Sequence, residues 1–95
     1  MAFELASQTR RSAFSVAVNI VEGCARDHEK EQLQFLNTAR ASLAEVGYCL
    51  HVARRLDYIN DKQLEKLEVK VRQTSAALNG YIRSIRTGVT PSRPA

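Results

Sequence analysis

Apolar residues recur three and four positions apart over three long stretches of the chain, as expected of amphipathic helices. The pattern predicts helices over about Phe3–Cys24, Glu29–Leu56 and Asp61–Arg86. The apolar row of the third helix is Leu64, Leu67, Val71, Thr74, Leu78, Tyr81 and Ile85. No proline precedes Pro91, so no residue type in these stretches forces a helix to end. The prediction is an all-α fold, an antiparallel up-and-down bundle of three long helices.

Symmetric pairing about the second turn supports an antiparallel hairpin. If the chain reverses near Tyr58, residues numbered symmetrically about that turn lie at the same level. The resulting pairs are Leu36 with Tyr81, Ala39 with Leu78, Val46 with Val71, Leu50 with Leu67, and Ala53 with Leu64. Every layer sets an apolar residue against another, and small residues often face large ones.

The helix ends carry local signals. Asn60 and Gln63 have the spacing of a capping box at the start of the third helix, and Asp27 is the predicted N-cap of the second. Gly88 is a typical stop signal after the third helix. Residues 1–88 are therefore predicted to form one domain, with a flexible polar tail over residues 89–95.

The first helix is apolar on nearly all sides. Its apolar residues include Ala13, Val16, Ala17 and Ile20, and also Phe14, Val18 and Val21, around which a further helix or subunit is expected to pack. Helices that are apolar all round are buried on more than one side. Phe14, Val18 and Val21 are the candidate oligomer interface, covered either by another subunit or by a separate helix.

Charge adds a candidate binding chemistry. The chain has 95 residues and a net charge of +4, and ten of its fourteen cations are arginine, which suits forked contacts with phosphate. The candidate nucleic-acid-binding residues are Arg10, Arg11, Arg54, Arg55, Arg83 and Arg86. A solvated surface, or ion pairs at the rim of an oligomer, explains the same residues equally well. No aromatic platform accompanies them, so base-specific reading of single strands is not expected.

The two cysteines and two histidines do not form a predicted site. Cys49 follows His28 by 21 residues on one helix, which separates them by roughly 32 Å. A zinc site or a Cys24–Cys49 disulfide within the chain is therefore not expected. His51 has no nucleophile and orienting acid arranged around it, and no glycine-rich phosphate loop exists. We expect a protein that is not an enzyme, with no catalytic residues, metal or cofactor.

Hydropathy predicts no membrane segment and no signal peptide. The most apolar stretch, Ala13–Val21, is interrupted at Ser15 and Asn19. It is also much shorter than the roughly 20 residues that a membrane-spanning helix needs. A cytoplasmic location is the expectation.

Several segments together resemble the family of 23S rRNA intervening-sequence proteins, also called the S23 family. The segments are Arg10-Arg11, Asn19-Ile20-Val21-Glu22-Gly23, Phe35-Leu36, Ala39-Arg40-Ala41-Ser42-Leu43-Ala44-Glu45, Leu56-Asp57-Tyr58-Ile59 and Leu78-Asn79-Gly80-Tyr81-Ile82. The resemblance implies a four-helix bundle that assembles as a ring-like homopentamer. Relatives include proteins encoded inside rRNA insertions, and accessory proteins of diversity-generating retroelements that bind nucleic acid and a reverse transcriptase.

The resemblance also bears on single residues. Family members usually carry one more helix before Arg10-Arg11, which this chain is expected to lack, and its loss would explain the apolar first helix. Glu22 and Arg40 match the family motif near the first hairpin and are predicted to form a structural ion pair. Asn79-Gly80, inside the third helix, suggests a close approach of two helices there.

The leading hypothesis is a non-enzymatic, homo-oligomeric helical scaffold. It would bind RNA, other nucleic acid or a nucleic-acid-processing partner through arginine-rich surfaces. The alternative is a purely structural or protein-interaction module whose basic charge is incidental. An RNA-processing enzyme, the third possibility, lacks suitable residues.

Overall fold

A computed structural model describes residues 2–88 of the chain. It contains three helices, α1 (Ala2–Ala25), α2 (Glu29–Arg55) and α3 (Asp61–Arg86). The all-α prediction is confirmed. The predicted bounds of α3 agree with the structure, and those of α1 and α2 differ by one residue at their ends. The predicted tail over residues 89–95 lies outside the described residues.

Helix α2 is the common neighbour of the other two helices. It packs against both α1 and α3, whereas no Cα atom of α1 lies within 8 Å of a Cα atom of α3. The bundle measures 44 × 22 × 22 Å, consistent with long helices packed side by side. The backbones of α1 and α3 are thus apart, and the groove between them includes a hollow lined by Ile20, Leu36 and Tyr81.

The best-buried cluster of the core lies at one end of the bundle, near the connection between α1 and α2. Its members are Leu36, Ala39, Leu78, Ile82 and Ile85, and Ile20, Leu33 and Tyr81 pack against it. The predicted layers Leu36–Tyr81 and Ala39–Leu78 belong to this cluster. Toward the other end of α3 burial decreases, and Leu67 remains 37% exposed.

A close approach of two helices occurs at Gly23 and not, as the sequence suggested, at Gly80. A Cβ atom on Gly23 would lie 3.0 Å from Cγ of Leu36 and 3.2 Å from the backbone oxygen of Gln32. A Cβ atom on Gly80 would meet nothing nearer than a guanidinium nitrogen of Arg83 at 4.0 Å. Glycine is therefore required for packing at position 23, while the prediction for Asn79-Gly80 is wrong.

The predicted capping box of α3 is confirmed. The backbone N–H of Gln63 donates to Oδ1 of Asn60 at 2.8 Å, and the backbone N–H of Asn60 donates to Oε1 of Gln63 at 2.9 Å. The predicted cap of α2 is wrong, because His28 occupies the N-cap position and its side chain makes no capping hydrogen bond. Asp27 lies one residue too early in the chain to cap α2.

The end of α3 follows its sequence signal. Gly88 adopts φ of +77°, a left-handed conformation that favours glycine. Its N–H donates to the backbone oxygen of Ile85 at 3.1 Å, which satisfies a carbonyl of the last turn. Over residues 2–88, none of the helices combines the length and the apolar character that crossing a membrane would need.

Candidate interaction surfaces

One flank of α1 is apolar and exposed. Phe14 is 71% exposed, Val21 is 66% exposed, and Phe3 at the start of the helix is 78% exposed. Val18 is 38% exposed and lies four and three residues from Phe14 and Val21. We call Phe3, Phe14, Val18 and Val21 the outer flank of α1. Within residues 2–88, the candidate interface residues Phe14 and Val21 are thus mostly uncovered, and Val18 is partly uncovered.

The opposite side of α1 packs on α2 through small and polar residues. Ser12, Val16 and Gly23 are its buried positions. The hydroxyls of Ser15 and Ser42 hydrogen bond at 2.8 Å between the two helices, whereas the buried hydroxyl of Ser12 has no hydrogen-bond partner within residues 2–88. With Phe3, Phe14 and Val21 left outside, α1 keeps a large apolar surface uncovered within residues 2–88.

Arg54 is held within the turn between α2 and α3. Its Nε donates to Oδ1 of Asp61, and its Nη1 donates to Oδ1 of Asp57 at 3.0 Å. The hydrogen bond that Arg54 donates to Asp61, and the negative charge of Asp61, raise the pKa of Arg54, and the same contact lowers the pKa of Asp61. The charge of Arg54, a predicted nucleic-acid-binding residue, is therefore already compensated by two carboxylates.

The remaining candidate arginines do not form one surface. Arg55 is exposed at the end of α2, near the α2–α3 turn. Arg83 and Arg86 are exposed in the last turn of α3, and Ile85 between them packs in the core cluster at the other end of the bundle. Within residues 2–88 none of these three arginines makes an ion pair.

Arg10 and Arg11 diverge because successive helical residues are about 100° apart around the axis. Nη2 of Arg11 donates to Oε1 of Gln8 at 3.2 Å, and Nε2 of Gln8 donates to Oε1 of Glu45 on α2 at 2.7 Å. Arg10 instead lines a hollow between α1, α2 and the α2–α3 turn. Arg11 does not line that hollow.

The predicted ion pair of Glu22 with Arg40 is wrong as to the partners. Glu22 pairs with Arg26, one turn further along the chain, at 2.7 Å, and the Arg26 guanidinium also lies 4.9 Å from the centre of the Phe35 ring. Nη2 of Arg40 donates to Oδ1 of Asn37 at 2.6 Å. Its Nη1 donates to Oδ1 of Asn79 at 3.3 Å, which links α2 to α3.

The two cysteines differ in burial, and neither they nor the histidines form a metal-binding group within residues 2–88. Cys24 is exposed, Cys49 is buried, and both are free thiols. Nε2 of His51 lies 3.1 Å from Oε2 of Glu68, a contact between α2 and α3. Among residues 2–88, no three His, Cys, Asp or Glu side chains are grouped so that they could hold a metal ion.

The groove between α1 and α3 is a feature that sequence reasoning missed. Ile20 and Cys24 line its α1 side, and Ala77 and Tyr81 line its α3 side. Separate hollows lie beside Ala6 and Ala13 and beside Lys66 and Lys70. No local sequence signal marks the groove, because it depends on how the three helices are placed around one another.

The model of one protein family matches most of the chain. Its description is 23S rRNA-intervening sequence protein, and the match covers residues 1–80. The chain belongs to this family. No curated protein and no solved structure matches it. The 23S rRNA-intervening sequence match includes α1, α2 and α3 as far as Gly80, so Arg83 and Arg86 lie outside the matched range.

Proposed function

We propose that this member of the 23S rRNA-intervening sequence family is a non-enzymatic scaffold that associates with copies of itself and binds nucleic acid. The exposed outer flank of α1 is the observation that carries the proposal, because large apolar patches on a soluble surface mark interaction sites. Ribosomal RNA is the first nucleic-acid partner to test, as the family description suggests. The resemblance also suggests a reverse transcriptase as a protein partner. The proposed location is the cytoplasm.

Self-association would cover the outer flank of α1. Burying a side chain the size of Phe14 or Val21 stabilises an interface by roughly 1.5–3 kcal/mol. The resemblance favours a homopentamer, and a closed ring needs two different surfaces to meet at each contact. The outer flank would then pack on a different face of the next copy.

Nucleic-acid binding is supported by the net charge of +4 and by arginines that have no carboxylate partner within residues 2–88. These are Arg10, Arg55, Arg83 and Arg86. Repeating them around an oligomer would multiply the phosphate contacts without new chemistry. Arg54 contributes least to this proposal, because Asp57 and Asp61 already bind it.

Two measurements test the proposal. Light scattering should give a mass several times that of one chain, and Phe14→Asp should lower it. A labelled fragment of 23S rRNA should bind with an affinity that falls steeply as salt rises, since each phosphate contact releases a counterion. A monomeric mass would contradict self-association, and the absence of binding at low salt would contradict the nucleic-acid role.

A matched pair of variants locates the nucleic-acid surface. R83E/R86E and K62E/K66E change the net charge equally, at opposite ends of α3. We expect the arginine variant to bind RNA more weakly than the lysine variant. Equal losses would mean that net charge alone drives binding, and would overturn the assignment to these arginines.

A structural or protein-interaction module is the second candidate function. The observation that favours it is that two of the predicted nucleic-acid-binding arginines bind side chains of their own chain: Arg54 binds two carboxylates, and Arg11 binds Gln8. This second function predicts an intact oligomer that binds no RNA at any salt concentration.

A further inference from the structure

One side of the α2–α3 interface changes its charge along the bundle. Near the α2–α3 turn, carboxylates pair with the cations of α2, as in the contacts of Arg54 with Asp61 and of His51 with Glu68. Beyond Glu68, α3 contains no aspartate or glutamate. We call the stretch that follows the α2–α3 seam. Its polar residues are Asn37 and Arg40 on α2, and Arg72, Ser75, Asn79 and Arg83 on α3.

We propose that the α2–α3 seam binds the sugar–phosphate backbone of a nucleic acid. The guanidinium groups of Arg40, Arg72 and Arg83 would contact phosphates along one strand and would read no base. This inference rests on the proposed nucleic-acid role and assigns that role to a surface shared by two helices. Neither Arg40 nor Arg72 is among the candidate nucleic-acid-binding arginines that the sequence indicated.

Arg40 is held in place by neutral partners. Its Nη2 donates to Oδ1 of Asn37 at 2.6 Å, and its Nη1 donates to Oδ1 of Asn79 at 3.3 Å. Nδ2 of Asn79 in turn donates to Oγ of Ser75 at 3.3 Å. Amides orient this guanidinium without compensating its charge, and its remaining N–H donors are available to a ligand. A side chain that is already oriented loses less conformational entropy when it binds.

The three arginines are spaced along the seam. Arg72, Ser75, Asn79 and Arg83 follow one another at steps of three and four, so they form one row on α3. Arg72 and Arg83 stand roughly 17 Å apart along the helix axis, and Arg40 reaches α3 between them, at Asn79. At about 3.4 Å per nucleotide, a stacked strand would place about five nucleotides along this length.

The seam has an uncompensated positive charge. Arg72 and Arg83 are exposed, and neither forms an ion pair within residues 2–88. On α2, no aspartate or glutamate occurs between Glu31 and Glu45, and Glu45 accepts a hydrogen bond from Gln8 of α1. The carboxylates in the first turn of α2 do not pair with the seam arginines either. An anion is therefore attracted here and repelled nearer the α2–α3 turn.

The surface between the arginines fits a nucleic-acid backbone better than it fits a protein. The residues one turn beyond Arg40 and Arg72 are Ala44 and Ala76, both small and exposed. A Cβ atom on Gly47 would meet nothing within 4 Å, so the surface is open. Protein partners usually insert large side chains into pockets, whereas arginines, hydroxyls and amides on an open surface suit phosphate and sugar. The seam residues include no aromatic ring on which a base could stack.

The salt dependence of RNA binding tests the proposal. Labelled RNA of mixed sequence is titrated with the full chain as a single strand and as a duplex, and the form that binds more tightly is used. R40Q/R72Q removes two phosphate contacts. The slope of log affinity against log salt should therefore become shallower by about 1.4 on a single strand or about 1.8 on a duplex. An unchanged slope would overturn the assignment.

R10Q/R55Q is the matched control, because it removes two arginines outside the seam and changes the net charge equally. It should leave the slope nearly unchanged. If R10Q/R55Q lowered the slope as much as R40Q/R72Q or more, the phosphates would lie elsewhere. The seam would then be wrong while the proposed nucleic-acid role stood. Failure of the parent protein to bind either form at low salt would overturn both.

A single substitution tests the position of Arg40 while keeping every arginine. Asn79→Asp places a carboxylate beside the Arg40 guanidinium, and we expect it to weaken RNA binding roughly tenfold. Asn60→Asp, near the α2–α3 turn, adds the same charge and should leave the affinity almost unchanged. Equal losses in the two variants would count against the seam. Circular dichroism of each variant checks that the helices are kept.

Competition identifies the class of ligand. Unlabelled RNA should displace the labelled RNA, whereas a polyglutamate peptide at the same concentration of negative charge should displace far less. Equal displacement by the peptide would mean that the seam accepts a carboxylate-rich protein segment, and the proposed backbone site would be wrong.

Discussion

The two helix interfaces of this bundle are built differently. Between α1 and α2 contacts recur along the whole length, from Gln8 with Glu45 through Ser15 with Ser42 to Gly23 against Leu36. Between α2 and α3 the buried contacts concentrate in the cluster at one end. At the other end polar contacts, such as His51 with Glu68 and Arg54 with Asp61, join the helices.

This difference indicates that α3 is anchored mainly by its C-terminal half. Exposed ion pairs contribute little, typically 0–1 kcal/mol, whereas buried apolar side chains contribute several times as much. The first half of α3 should therefore open at a lower free energy than the second half, while α1 and α2 should open together. The predictions below test that contrast in order of decreasing effect.

Removing a side chain from the anchoring cluster should have the largest effect. Ile82 is 2% exposed, and Ile82→Ala should lower the free energy of unfolding by about 2–5 kcal/mol through lost burial and the cavity left behind. Val71→Ala, at a half-buried position in the first half of α3, should cost clearly less. Urea unfolding followed by circular dichroism measures both variants. If they cost the same, α3 is packed evenly and the contrast fails.

Two glycines should respond with opposite signs. Gly23→Ala places a methyl group 3.0 Å from Leu36, so we expect a loss of roughly 1–3 kcal/mol from overpacking. Gly80→Ala meets no close neighbour and should gain up to about 1 kcal/mol from helix propensity. Thermal unfolding of both variants gives the comparison. A gain at both positions would mean that α1 and α2 are not in tight contact at Gly23.

These two glycines show what sequence reasoning could and could not reach. Both are helical glycines within family-like motifs, and the sequence does not state which one faces a neighbour. Which face of a helix is buried depends on how many helices surround that helix and on where they lie. Because α3 packs mainly on α2, Ile82 is buried while Thr74, in the predicted apolar row, is exposed.

Local features were predictable, and those set by tertiary packing were not. The capping box needs only Asn60 and Gln63 three residues apart, so the sequence contains the whole signal. The ion pair of Glu22 with Arg26 is also local, but the family-like motif directed attention to Arg40 instead. The hollow lined by Ile20, Leu36 and Tyr81 could not be predicted, because three different helices contribute to it.

The capping box tests the less buried end of α3. Asn60→Ala should destabilise the protein by about 1 kcal/mol, because the N–H of Gln63 loses its acceptor. Asn60→Asp is the matched control and should retain most of the stability. Hydrogen exchange should show faster exchange confined to the first turns of α3 in the alanine variant. Faster exchange throughout the chain would indicate that α3 does not open separately.

The smallest expected effect concerns Asp61 and pH. Because Arg54 lowers the pKa of Asp61 in the folded state, this carboxylate stabilises the fold at pH values above its unfolded pKa, near 3.8. That contribution disappears as the pH falls through the lower folded value. Asp61→Asn should therefore be less stable than the parent protein at pH 7, and the two should converge in strong acid. Urea midpoints between neutral pH and about pH 2 measure the difference, which salt should reduce.

Asp57→Asn is the control for this ion pair. Asp57 adopts φ of +63°, which asparagine also tolerates, so the substitution removes a charge without straining the turn. Asp57 contributes less than Asp61 to the raised pKa of Arg54. We therefore expect Asp57→Asn to lower the stability at pH 7 less than Asp61→Asn does. If it lowered the stability more, the main effect of Arg54 would be on the turn and not on the link from α2 to α3. The Arg54–Asp61 contact would then add little to holding α3 in place.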